Sequence, residues 1–227
     1  MVTEKQLLVA SYIVKNMLDP LKDDFAKYLY DQYENISIST PKDAFLSQSE
    51  QRNLNIIIGE PPILVVKFKN LDIELKIYSN KLDLTKQNFE IQNFNLKELF
   101  KILDKIAKDF NLNILRIGCA YTENKKIEKN IIPKLYGNFS NKQEKDLIGF
   151  THEIIKRFED FYNLFIGTKA LEKNEPNNIS VAMLSILVDS NTILSKKALN
   201  SEKDKHCEKI EEYLINGWEY ITKLTKY

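Results

Sequence analysis

Glu74-Leu75-Lys76 is the first arrangement in this chain whose residue types could do chemistry. A carboxylate and a lysine two positions apart on a strand share one face. There the carboxylate can hold Mg²⁺ and the ammonium can help activate water. That chemistry needs a second carboxylate on the neighbouring strand. Residues 63–68, ILVVKF, supply none, and the nearest acids, Glu60 and Asp72, stand beside turns. The alternation of Asp72, Glu74 and Lys76 with Leu71, Ile73, Leu75 and Ile77 reads more simply as a half-buried strand with a charged outer face.

The histidines and cysteines offer less. His152-Glu153 and His206-Cys207 are the two His-centred pairs. A zinc centre needs three or four ligands at set spacings, and none repeats here, so no metal site and no cofactor are expected. Cys119 and His152 have the types of a nucleophile and its base, but Cys119 lies in an apolar run, where a small buried thiol is the ordinary outcome. His206 reads as a solvated helix residue. Catalytic residues are therefore expected to be none, with Glu74 and Lys76 as the alternative.

Arg116 stands out. It is one of three arginines, with Arg52 and Arg157, and it interrupts the apolar run Ile114-Leu115 and Ile117. A charge in such a strand needs a carboxylate, a ligand or an outward-facing position. Alternation favours the outward position. Arg116 and the nearby Tyr121 are the candidate binding residues. The lysines at 125, 126, 129 and 134 interleave with Glu123 and Glu128 and read as a solvated loop.

Composition sets the frame for these residues. The 227-residue chain is 43% hydrophobic, enough for a real core. Its 33 basic and 32 acidic side chains nearly cancel, which leaves no general pull toward nucleic acid or an anionic membrane. Three arginines are few for bidentate base or phosphate recognition. Two distant cysteines, no secretory leader and no membrane-length apolar run point to a cytoplasmic protein with no membrane partner.

The elements that must position the candidates follow from periodicity. Residues 6–14 read as a strand. Asp19-Pro20 opens a helix that runs to about residue 35. A short strand at 36–40, a polar loop at 41–53 and strands at 54–58, 63–68 and 71–78 follow, the last two joined in a hairpin near Asn70. Residues 82–92 alternate weakly as a further strand. Leu96, Leu99, Phe100, Leu103, Ile106, Ala107 and Phe110 stripe a helix that begins at Asn95. Residues 113–121 read as a buried strand. Pro133 and Gly137 mark 122–145 as a polar connection. Residues 146–166 fit a helical stripe or, toward their end, a strand. A turn at Asn177-Asn178, a strand at 179–188 and a helix from Ser201 complete the order.

This is an α+β pattern, a mostly antiparallel sheet covered by amphipathic helices, with two similar halves as one way to build it. The halves would be 1–124 and 125–227, or else a single domain spans 1–227. At Arg116-Ile117-Gly118, followed by Tyr121 and Asn124, the chain resembles a sporadically distributed group of uncharacterised prokaryotic proteins. In that group an Arg-Ile-Gly-x-x-Tyr strand follows an amphipathic helix. The group also has an acidic strand end, here Asp189, and a last helix ending in aromatic-Glu-x-Ile-Thr, here Trp218-Glu219-Tyr220-Ile221-Thr222. Ala120 and Asn124 depart from its pattern. The resemblance implies the architecture and no activity.

The function expected from these residues is non-enzymatic binding or scaffolding through a protein partner. The alternatives are a metal-dependent nuclease of the PD-(D/E)xK type using Glu74 and Lys76, or a nucleic-acid-binding module, either one at home in a phage-defence system. A basic face with two or more exposed aromatics would favour nucleic acid; an evenly mixed face would oppose it. The sequence does not set the oligomeric state.

Overall fold

The computed structural model describes residues 3–40, 61–87, 96–140, 147–173 and 181–226. The loop expected at 41–53, the strand at 54–58, the start at Asn95 and the turn at Asn177-Asn178 lie outside them. Runs of alternating apolar residues give β1 (Thr3–Val14), β2 (Ile36–Ser39), β3 (Leu64–Phe68), β4 (Ile73–Ile77), β5 (Lys81–Gln87), β6 (Ile114–Glu128), β7 (Gly149–Phe158), β8 (Tyr162–Lys173) and β9 (Val181–Thr192). The helices are α1 (Lys22–Gln32), α2 (Leu96–Asp109), α3 (Ile132–Ser140) and α4 (Lys203–Leu224), and 3₁₀ turns lead into α1 and α3. The chain is α+β, with every described strand pair antiparallel.

All nine strands form one sheet, in the order β2-β3-β4-β5-β1-β6-β9-β8-β7. The order is nearly symmetric about the central β1–β6 pair. Each half runs strand, 3₁₀ turn, helix, antiparallel strands, helix, and the first half carries the extra strand β2. Tyr12 on β1 stacks on Phe100 of α2, 5.6 Å between ring centres, and Tyr121 on β6 meets Trp218 of α4 edge-on at 4.7 Å. The two tyrosines are the same feature of the two halves.

Strand alternation then sorts the sheet into two faces. Leu8, Ala10 and Tyr12 of β1 share a face with Ile117, Cys119 and Tyr121 of β6 and with Ile186 and Val188 of β9, and all are buried. The described helices cover this face. Phe25 of α1 stacks on Phe110 at the end of α2, Phe139 of α3 packs on Phe150 and His152 of β7, and α4 lies over β6, β8 and β9. Helix α4 lies so close that a Cβ at Gly217 would stand 2.8 Å from Val188 Cγ1 and 3.1 Å from Leu164 Cδ1. No described helix lies on the other face, and among the described residues no helix is long and apolar enough to cross a membrane.

Three expectations need correction. Of the polar connection expected at 122–145, the described residues 122–140 are the second half of β6, a 3₁₀ turn and α3. Glu123 and Lys125 point toward the helices as a 3.0 Å ion pair, so the charges that signalled a loop lie within a strand. Pro133 sits in the first turn of α3, where its missing N–H costs nothing. The boundary expected after residue 124 therefore falls inside a strand paired on both sides. For 146–166, where helix and strand both fit the sequence, the described residues 147–166 contain no helix. They are β7, a reversal and the start of β8, and the reversal uses positive φ at Glu159 and Asp160, 50° and 52°. Aspartate tolerates that conformation better than most residues but glutamate does not, so the pair gives no clear signal of it in sequence.

The packing of α4 on its own sheet gives a direct test. Trp218→Ala should cost about 3–5 kcal/mol in urea unfolding, from the lost ring and the cavity beside Tyr121. Gly217→Leu should also destabilise, because Val188 and Leu164 leave no room for the added side chain. Loss of a dimer with unchanged monomer stability would contradict this packing.

Candidate functional site

Arg116 is on β6 opposite Ile13 of β1, on the face away from the helices. Gly118 and Ala120 follow it on that face, and Asn191 and Asp189 of β9 stand opposite them. Ser11 and Ile13 of β1 and Lys81 of β5 close the other side. Together these residues line a recess of about 250 Å³ near the centre of the sheet. Gly118 forms its floor for a steric reason: a Cβ there would lie 3.1 Å from Asn191 Cβ.

The charges divide into a settled pair and an unsettled group. Asp83 accepts from Ser11 Oγ at 2.7 Å and from Lys81 Nζ at 2.6 Å. Arg116 makes no hydrogen bond or ion pair with the described residues, although it is half-buried. Asn191 is 5% exposed. Its Nδ2 donates to Asp189 Oδ1 at 3.1 Å, and its Oδ1 has no partner among the described residues. Burial raises Asp189 above the usual carboxylate value, against the pull of Asn191 and the charge of Arg116.

The repeat locates these acids. Ser11 precedes Tyr12 and pairs with Asp83; Ala120 precedes Tyr121 and pairs with Asp189. Asp83 and Asp189 are therefore equivalent positions flanking the central pair. One is neutralised by a lysine. The other stands beside an arginine that it does not bond.

The expected candidates are only partly brought together. Arg116 faces outward, as alternation indicates. Tyr121, five residues on, takes the opposite face and is fully buried against Trp218, so it is a core residue and not a surface contact. Glu74 is bridged by Lys76 at 3.1 Å and Lys67 at 3.7 Å on the free face, and no group of three His, Cys, Asp or Glu that could hold a metal occurs among the described residues. Cys119 and His152 lie three strand spacings apart across the sheet, roughly 14 Å, and are offset along it as well, since Lys156 is the β7 residue in line with Cys119. Burial pushes the Cys119 thiol well up and the Cys207 thiol to about 12, so neither is a ready nucleophile.

His206 was expected in solvent and is buried instead. Its Nδ1 lies 2.9 Å from the Tyr162 hydroxyl, Phe161 stacks on its ring, and Glu202 approaches Nε2 at 3.9 Å. Lys197, Lys205 and Glu159 help line the adjoining recess of about 450 Å³. Tyr162 is 44 residues away in sequence, so no local spacing foretells the pair.

No protein-family model, curated protein or solved structure matches this chain.

Burial at His206 lowers its pKa below the ordinary 6.5, against the opposing charge of Glu202. The unfolded chain then binds the proton more readily, so this group's contribution to stability rises with pH just below about 6.5 and is lost on acidification. The slope is at most about 1.4 kcal/mol per pH unit. Urea unfolding across that window should show the slope, and His206→Gln should flatten it. An equal slope in the variant would contradict the assignment.

Proposed function

We propose that this chain is a non-enzymatic binding protein whose sheet face opposite the helices receives a protein partner. The observation that carries the reading is the character of that face on β7, β8 and β9. Ile155, 74% exposed, pairs with Phe165, and Gly167 pairs with Leu187 in the next row. The Phe165 ring leans over Gly167, where a Cβ would come within 2.9 Å of it. Exposed Ile155 and Leu171 with half-buried Phe165 and Leu187, interleaved with Glu153, Arg157 and Lys169, have the composition of a protein interface.

The same face argues against nucleic acid. Its charges are mixed, with Lys67, Lys76 and Arg116 set against Glu74, Asp83 and Asp189. Among the described residues its aromatics are two half-buried rings, Phe165 on β8 and Tyr78 just after β4 with Lys81 Nζ 4.4 Å from its ring centre, and they stand many strands apart, so no series of stacking rings accompanies the cations. The bridged Glu74, with lysines on both sides, gives the nuclease reading no observation of its own.

A photo-crosslinking amino acid at Ile155, expressed in the source cells, tests the proposal. One discrete adduct with a different protein is expected, and none from the same probe at Tyr220 on α4. Adducts with a second copy of this chain, or none at Ile155, would overturn it.

A further inference from the structure

We infer that the recess at Arg116 is a binding site for a free α-amino acid, with the ligand carboxylate on Arg116 and its ammonium on Asn191 and Asp189. This inference does not rest on the partner reading. The argument starts from two unmet groups on one recess. Arg116 is a half-buried guanidinium that bonds no described residue, and five donors in a planar fork match a carboxylate. Asn191 Oδ1 is a nearly fully buried carbonyl with no donor among the described residues. Buried acceptors are rarely left so, because the lost hydrogen bond costs about 1–3 kcal/mol.

The charges then choose the class of ligand. Asp83 and Lys81 neutralise each other. That leaves one cation, Arg116, and one carboxylate, Asp189, which do not bond each other. A simple anion would meet Arg116 but also Asp189. A simple cation would meet Asp189 but also Arg116. A zwitterion satisfies both, and its ammonium supplies the donor that Asn191 Oδ1 lacks.

The geometry is compatible. Asn191 stands opposite Gly118, two positions from Arg116 on the same face, a diagonal of about 7–8 Å between Cα atoms. Gly118 brings no side chain and Ala120 only a methyl to the floor between Arg116 and the Asn191–Asp189 pair. Ile13 offers an apolar wall for a ligand side chain, and about 250 Å³ holds one amino acid and not a peptide of several residues.

The test is an NMR titration of the full chain with the L-α-amino acids, glycine, N-acetylglycine and glycinamide. The last two lack the free ammonium and the free carboxylate respectively. Saturable shifts at Gly118, Ala120 and Asn191 are expected with at least one α-amino acid, and binding at least about tenfold weaker once either of its charged groups is blocked. Arg116→Gln should remove the binding and leave the remaining spectrum unchanged. Asp189→Asn should narrow the gap between an amino acid and its N-acetyl form. If Arg116→Gln does not fold, the blocked-ligand series on the unaltered chain decides alone. No saturation by any α-amino acid at millimolar concentration, or blocked forms that bind as well as the parent, would overturn the inference. Either result leaves the cross-link at Ile155 to be judged separately.

Discussion

The central antiparallel pair of β1 and β6 is the contact on which the rest depends. Each half of the molecule is a sheet that would end in a long open edge, 12 residues in β1 and 15 in β6. Such an edge is a template for unwanted pairing. Joining the edges removes both and fixes one register, with Leu8 opposite Tyr121, Ala10 opposite Cys119 and Tyr12 opposite Ile117. A slip of one residue would turn all of these away from the helices. The pair also sets the helices. Tyr12 bonds Asp104 of α2 at 2.7 Å, and Lys203 at the start of α4 reaches the same carboxylate at 2.8 Å.

One-sided coverage follows from that register. The face under the helices is aliphatic and aromatic, with Glu123 and Lys125 as an inward ion pair beneath Trp218. The other face alternates small, polar and apolar residues, a pattern that solvent tolerates and that a partner can cover. Near the centre of this face the duplicated positions have diverged. Asp83 carries its own lysine and serine, whereas Asp189 has a neighbouring arginine at a distance and an amide with one end unmet. Equivalent positions of the repeat are thus treated unequally on this face.

Much of this was legible in the residues. The stripe of α2 and the alternation of β1, β3 and β4 have strong single periods, and their elements lie close to where those periods place them. Arg116 was legible as an outward residue because it alternates with Ile117 and Cys119 on the buried face, whereas the register shift that buries Ile114 as well was not legible. Other parts had misleading local signals. In and around β7 and β8, residues 147, 151, 154, 155, 158, 161, 162 and 165 fit a helix by coincidence, since a three-residue reversal after Phe158 shifts the strand period. The charges of β6 beyond Tyr121 look like a loop because their ion pair forms inside the fold. Asn191, Ser11 and the Tyr162–His206 bond are products of tertiary pairing, and no short spacing announces them.

The central claim is that one face of the sheet is closed by the chain's own helices and the other is left for a partner. Ala170 and Leu171 are neighbours on β8 that point to opposite faces, 0% and 47% exposed. Thiol labelling of Ala170→Cys and Leu171→Cys in the folded chain tests the claim most directly, because the native Cys119 and Cys207 are buried. The account predicts rapid labelling at position 171, suppressed when the cross-linked partner is supplied in purified form, and none at position 170 in either state. Comparable labelling at both positions, or labelling at 171 that the partner does not slow, would contradict it.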